Sequence, residues 1–147
     1  MAVALAGCSG SLTSTETGED EARAAVESVF AAFNRHDPEA MAALYAENAT
    51  MISSDYCQPL VGRDAVQEVY RGLFAEVPDV EDEVLDYYVE GDKVAVRFVS
   101  RSRLPGRAFE VTIANFFEVR DGLIVRDETI FDAQEPCQPT PVSTEAR

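Results

Sequence analysis

The sequence predicts an α+β domain with its helices first and antiparallel strands after them. Three observations carry this reading. Apolar residues recur at helical spacing from Ala22 to Phe74. From Val80 onward they come in strand-like runs rich in β-branched and aromatic residues. Those runs are broken by the turn pairs Gly91-Asp92, Pro105-Gly106 and Asp121-Gly122. Helices segregated from antiparallel strands define the α+β class. A chain of 147 residues is long enough for one domain with a real core.

The first helix is expected over residues 19–35. Ala22, Ala25, Val26, Val29, Phe30 and Phe33 form its apolar stripe. Glu19, Asp20 and Glu21 crowd its first turn, where the helix dipole favours them, and Arg35 stands near its end. Asp37-Pro38 restarts the chain with an N-cap and a proline at the first helical position. The short helix that follows presents Met41, Leu44 and Tyr45. Residues 49–54 read as a short strand and 60–62 as a turn or brief strand. From Arg63 a third helix carries Val66, Val69, Tyr70, Leu73 and Phe74, ending before Pro78. Strands are then expected over 80–90 and 93–104.

Residues 107–133 form the central hairpin. Asp-Gly between apolar runs suits a type I′ turn, which needs positive φ at both central residues. On the first arm Phe109, Val111, Ile113, Asn115 and Phe117 share a face. On the second, Leu123, Val125, Asp127, Thr129 and Phe131 do. Neither arm is cleanly apolar on one side, so both faces are expected to meet protein in places, as in a curved sheet wrapped on helices.

A net charge of −15 argues against nucleic-acid binding, which needs a basic face. One histidine, His36, excludes a multi-histidine metal site. Asp79, Glu81, Asp82 and Glu83 lack the glycine and spacing of a calcium loop and read as a solvated strand start. No metal or cofactor is expected. His36 sits in an interhelix turn and is expected at the surface.

Leu5-Ala6-Gly7-Cys8 resembles the lipobox of bacterial lipoproteins, in which the chain is cut before the cysteine and lipid is attached to it. A basic n-region and a full apolar h-region are missing. Residues 1–8 are therefore read as a signal-peptide remnant with lipidation at Cys8, and 9–18 as a flexible tether. The domain spans 19–133, and 134–147 is expected to be a mostly disordered tail. With Cys8 assigned to lipid, Cys57 and Cys137 remain as a pair in a chain expected to work in the cell envelope, outside the cytoplasm. There disulfides persist, and a Cys57–Cys137 bridge is expected. The membrane is met only through the lipid anchor.

The segments FAAFNRHDPEAMAALYAENAT, LVGRDAVQEVYRGLF and FFEVRDGLIVRDETIFD, in this order, resemble the NTF2-like superfamily, its SnoaL-like and ketosteroid-isomerase-like branch in particular. The resemblance implies a cone: a strongly curved antiparallel sheet closed by three N-terminal helices around an apolar pocket. The isomerases of that branch use a tyrosine, an aspartate base and a protonated aspartic acid. By matching words these positions fall on Val29, Ser53 and Asn115. Asn115 could still donate a hydrogen bond to a carbonyl, and Asp55 could supply a base. Epoxide hydrolases of a related branch place Arg and Asp two apart on one strand. Here Arg97 is followed by Val99, and Asp127 is the remaining carboxylate that could serve.

The word match turns Arg97 and Asn115 towards the cavity, where Arg97 could pair with Asp127 or hold a ligand carboxylate. Pattern alone puts Val94, Val96 and Phe98 in the core and the arginines in water. The ligand-binding set expected from the match is Arg97, Val99, Ile113, Asn115, Thr129, Phe131 and Tyr45, with Asp55, Asn115 and Asp127 as catalytic candidates. The expected function is a lipid-anchored domain that binds a small, largely apolar or carboxylate-bearing ligand, or a partner, without turnover. The alternatives are a small enzyme of isomerase, cyclase or hydrolase type acting on a polycyclic or terpenoid-like compound, and a structural module forming a homodimer. A deep pocket holding an unsatisfied carboxylate near a donor would favour the enzyme.

Overall fold

A computed structural model describes residues 13–133. Its elements are α1 (Thr13–Asn34), α2 (Pro38–Ala43), β1 (Tyr45–Ser53), β2 (Leu60–Val61), α3 (Arg63–Glu76), β3 (Glu81–Glu90), β4 (Lys93–Ser102), β5 (Phe109–Arg120) and β6 (Leu123–Ile130). The order is the one expected, and the class is α+β. Helix α1 starts at Thr13, six residues before the expected start at residue 19 and within the stretch read as a tether. Cys8, the rest of that stretch and the tail with Cys137 lie outside the described residues.

Local chemistry sets the boundaries. Asp37 caps α2 by accepting a hydrogen bond from the Ala40 amide at 2.9 Å, with Pro38 opening the first turn. The hairpin turn has φ of 51° at Asp121 and 72° at Gly122, the two positive values that a type I′ turn requires.

The strands form one curved, unclosed sheet in the order β2-β1-β6-β5-β4-β3. The meander β3 to β6 is antiparallel throughout. β1 joins its far side by pairing parallel with β6, from Thr50 opposite Arg126 to Ser53 opposite Thr129. The last strand is thus interior to the sheet.

The concave face packs against the helices. Val26, Val29, Phe30 and Phe33 of α1, Met41 of α2 and Phe74 of α3 are buried on Val94, Val96 and Phe98 of β4 and Ile113 and Phe117 of β5. Phe30 makes edge contacts with Phe98 at 5.0 Å and Phe117 at 6.3 Å, a favoured geometry for aromatic pairs. A register shift between β5 and β6 near Val119 inverts the expected alternation. Ile124 is fully buried although it is on the opposite parity to Asp127, which is also buried.

Candidate functional site

The concave face retains a cavity of about 170 Å³. Helices supply Phe30, Phe33, Met41 and Tyr70 to its wall, and the sheet supplies Phe98, Ile113 and Phe131. Its polar groups come from Ser53, Asp55, Tyr56, Asp82, Ser100, Asn115 and Thr129. Leu73, Ser100, Ile113 and Phe131 also line an outer groove of about 790 Å³, whose rim carries Glu110 and Asp132. Cavity and groove are contiguous through those four residues.

Asp82 is the group that sequence reasoning missed. Val80, just before β3, and Asp82 are two residues apart in extended chain, so the burial of Val80 carries Asp82 inside with it. That parity was the available signal, and it was masked by the acidic neighbours Glu81 and Glu83. Asp82 is 7% exposed, not part of a solvated strand start. Asn34, at the end of α1, clasps its backbone twice. The Asn34 amide donates to Asp82 O at 2.8 Å, and Asp82 N donates to Asn34 Oδ1 at 2.9 Å. This occupies the free edge of β3 much as another strand would. Desolvation raises the Asp82 carboxyl to about 7, against a hydrogen bond from Ser100 that lowers it. Its Oδ1 has no partner.

A second buried carboxyl stands behind the cavity wall. Asp127, 1% exposed, accepts from Tyr45 Oη at 2.5 Å and from Thr129 Oγ1 at 3.5 Å, and also from the Asn115 amide. Burial raises it to about 6 despite the three donors. Tyr45 is fully buried, and desolvation pushes its hydroxyl, and that of Tyr70, well above the ordinary range.

The expected ligand set divides. Ile113, Asn115, Thr129 and Phe131 line the cavity, as does the catalytic candidate Asp55, which accepts a short hydrogen bond from Ser53. Tyr45 and Asp127 lie behind the wall. Arg97 and Val99 are on the other face of the sheet. The Arg97 guanidinium is more than half exposed and pairs with Asp86, so it neither meets Asp127 nor reaches a ligand in the cavity. The alternation Val94, Val96, Phe98 decides the facing of β4, because three apolar side chains outweigh one arginine that can be solvated. No Lys or Arg lines the cavity or groove among the described residues. The charged groups there, Asp55, Asp82, Glu110 and Asp132, are all acidic and would disfavour a carboxylate-bearing ligand.

His36 is half-buried. Its Nε2 lies 2.7 Å from Val80 O, and its ring lies 4.9 Å from Phe74, in a left-handed backbone conformation with φ of 53°. It pins the turn between α1 and α2. Asp79, the residue before Val80, accepts from Ser102 Oγ at 2.6 Å and Arg103 N at 2.7 Å. Those donors hold its carboxyl below the usual range. No group of three metal-ligating side chains occurs among the described residues.

The profile of the SnoaL-like domain matches residues 26–127, most of the described chain. This chain belongs to the SnoaL-like family. Among solved structures it is similar to wild-type IdmH of Streptomyces antibioticus, a proposed polyketide cyclase, with 30% identity over 76% of this chain and 91% of that one and a TM-score of 0.67. A loop-truncation variant of IdmH gives 32% identity over 76% and 92%, with a TM-score of 0.68. An epoxide hydrolase of LEH-like type from M. tuberculosis shares the fold at 19% identity, 78% and 84% coverage and a TM-score of 0.69. So does a protein with a ketosteroid-isomerase-like fold from Catenulispora acidiphila in complex with trimethylamine, at 22% identity, 72% and 83% coverage and a TM-score of 0.67. No curated protein matches the chain.

Proposed function

We propose that this SnoaL-like domain takes a small, largely apolar molecule into its cavity and that Asp82 exchanges a proton with it, as an acid–base enzyme of isomerase or cyclase type. One observation carries this reading. Asp82 is a buried carboxyl with an unpartnered oxygen in a cavity otherwise walled largely by aromatic and aliphatic side chains. A carboxyl poised at about 7 can take a proton from carbon as the carboxylate and return it as the acid. The groove outside gives room for a polycyclic body whose reacting end enters the cavity. IdmH, the relative at 30% identity, is a proposed polyketide cyclase, which is compatible with such a substrate class.

The test is solvent exchange. Wild type and Asp82→Asn are incubated in D₂O with a panel of enolic diketones and polyphenols, and carbon-bound hydrogen is followed by NMR. Wild type is expected to speed exchange for at least one compound by 10²-fold or more, the usual scale of general acid–base catalysis. Equal rates in the variant would overturn the role of Asp82.

A second reading, binding without turnover, is favoured by Val29 and Ser53. Both line the cavity, and by the resemblance they stand where the isomerases carry their tyrosine and their base. Ligand retained without any exchange would select it.

The placement outside the cytoplasm belongs to the same proposal and rests on the Leu5-Ala6-Gly7-Cys8 string. A bridge between Cys57 and Cys137 would close a long loop and stabilise the fold by about 2–4 kcal/mol. Mass spectrometry of protein from its native envelope should show lipid on Cys8 and no alkylation of Cys57 without reductant. An unlipidated Cys8 would overturn the anchor. Tyr88, Phe116 and Ile130 are 62%, 47% and 48% exposed on the outer sheet face, which supports a homodimer through that face. Sedimentation should then show a dimer that Phe116→Glu converts to monomer.

A further inference from the structure

We infer that the inner cavity is wired to accept hydrogen bonds, so that the molecule it selects is a ring bearing a hydroxyl or N–H donor rather than a simple ketone. This rests on the proposed function in one respect, that the cavity is the ligand site.

The wiring follows from proton counting. An ionised carboxylate accepts only. Asp127 therefore draws donors from all three of its partners, and Asn115 must turn its NH₂ towards it. The Asn115 carbonyl oxygen is left buried and without a partner. Asp82 Oδ1 is a second buried acceptor without a partner, lining the same cavity. Both side chains are more than nine-tenths buried.

The nearby hydroxyl hydrogens are already committed. Tyr45 gives its own to Asp127. Tyr70, hydrogen-bonded to Tyr45, must then give its own to the Tyr45 oxygen. Ser53 donates to Asp55, Thr129 to Asp127 and Tyr56 to the Met51 sulfur. Ser100 bonds to Asp82, whose carboxylate leaves it the donor's part. With no Lys or Arg in the wall, a ligand carbonyl meets mainly acceptors, the second hydrogen of the Asn115 amide being the donor that these bonds leave over. A hydroxyl finds two unmet acceptors. This reverses the role expected of Asn115, which was to donate. Asp127 is the positioning residue, since it sets the amide's orientation without lining the cavity.

The experiment compares cyclohexanol with cyclohexanone, two rings of nearly equal shape that differ in having a donor. An apolar cavity of about 150 Å³ admits a benzene-sized ring, so both fit. Calorimetry or NMR titration on the full chain at pH 8 reads the two dissociation constants. Wild type should bind the alcohol roughly tenfold more tightly, the usual worth of one net hydrogen bond. In Asp127→Asn the new amide donates to the Asn115 oxygen and flips it. The ratio should then fall to one or invert. Asn115→Leu, which needs no change at position 127, should weaken the alcohol roughly tenfold and spare the ketone. A merely structural role for Asp127 would weaken both ligands alike and leave the ratio unchanged, which overturns its positioning role. A wild-type protein that binds the ketone as tightly as the alcohol overturns the inference while leaving the cavity reading intact. Binding of neither ring overturns both.

Discussion

Asp82→Asn tests the energetics of the buried carboxyl directly. In the folded chain this group titrates at about 7, against an ordinary value of 3.8. The folded state therefore holds a proton that the unfolded state has lost, between about pH 4 and pH 7. Stability falls wherever the folded state binds more protons than the unfolded one. The wild type should thus lose stability as pH rises through that window and level off above 7. At 1.36 kcal/mol per pH unit the loss from this one group approaches about 4 kcal/mol. Asparagine cannot ionise, keeps the shape and still accepts from Ser100. Urea denaturation of both proteins from pH 4 to pH 8 is the assay. The two should agree within about 1 kcal/mol at pH 4. The variant should be more stable by up to about 4 kcal/mol at pH 8, with each kcal/mol moving the melting temperature by about 3–5 °C. The remaining pH dependence, from Asp127 and the acidic surface, is common to both and cancels in the difference. A difference that does not change with pH would refute the reasoning, because it would mean that Asp82 ionises equally easily in both states.

Tyr45→Phe removes the 2.5 Å donor from Asp127 and should cost about 1–3 kcal/mol at pH 8, less at pH 5 where Asp127 is protonated; chemical denaturation at the two pH values checks this. Asn34→Ala breaks both hydrogen bonds to the Asp82 backbone, and should lower stability by roughly 1–2 kcal/mol and speed exchange of the Asp82 amide. Gly122→Val places a β-branched side chain at φ of 72° and should cost at least about 1 kcal/mol in thermal unfolding, whereas the same change at exposed helical Gly72 should be neutral or slightly stabilising, because valine has a higher helix propensity than glycine.

Much of the fold was legible because its signals are local. The stripe from Ala22 to Phe33, the Asp37-Pro38 restart and the Asp121-Gly122 turn each fix a boundary through backbone chemistry that operates within a few residues. The pairing of β1 with β6 was not legible, since parallel partners far apart in sequence carry no turn to announce them. The facing of β4 was legible in its alternation, and the borrowed family match obscured it by asking Arg97 to point inward. The shift near Val119 was invisible, because one extra residue in a strand leaves no mark on composition. Asp82 escaped for a different reason. Its neighbours Glu81 and Glu83 are solvated, and an acidic run looks uniform until alternate residues are assigned to opposite faces. The polarity of Asn115 was beyond sequence altogether, because it depends on which atom of a distant carboxylate claims its amide.

The position of β6 bears on how the molecule is made. It sits between β1 and β5, yet it is the last of the described strands to be made. Until residues 123–130 emerge, the β1–β2 pair has no attachment to the meander and the Asp127 side of the hollow does not exist. Contacts between such remote segments form slowly, because the intervening chain must first be gathered. A chain cut short before residue 123 should therefore leave the β1–β2 pair detached from the meander, with an open edge on each.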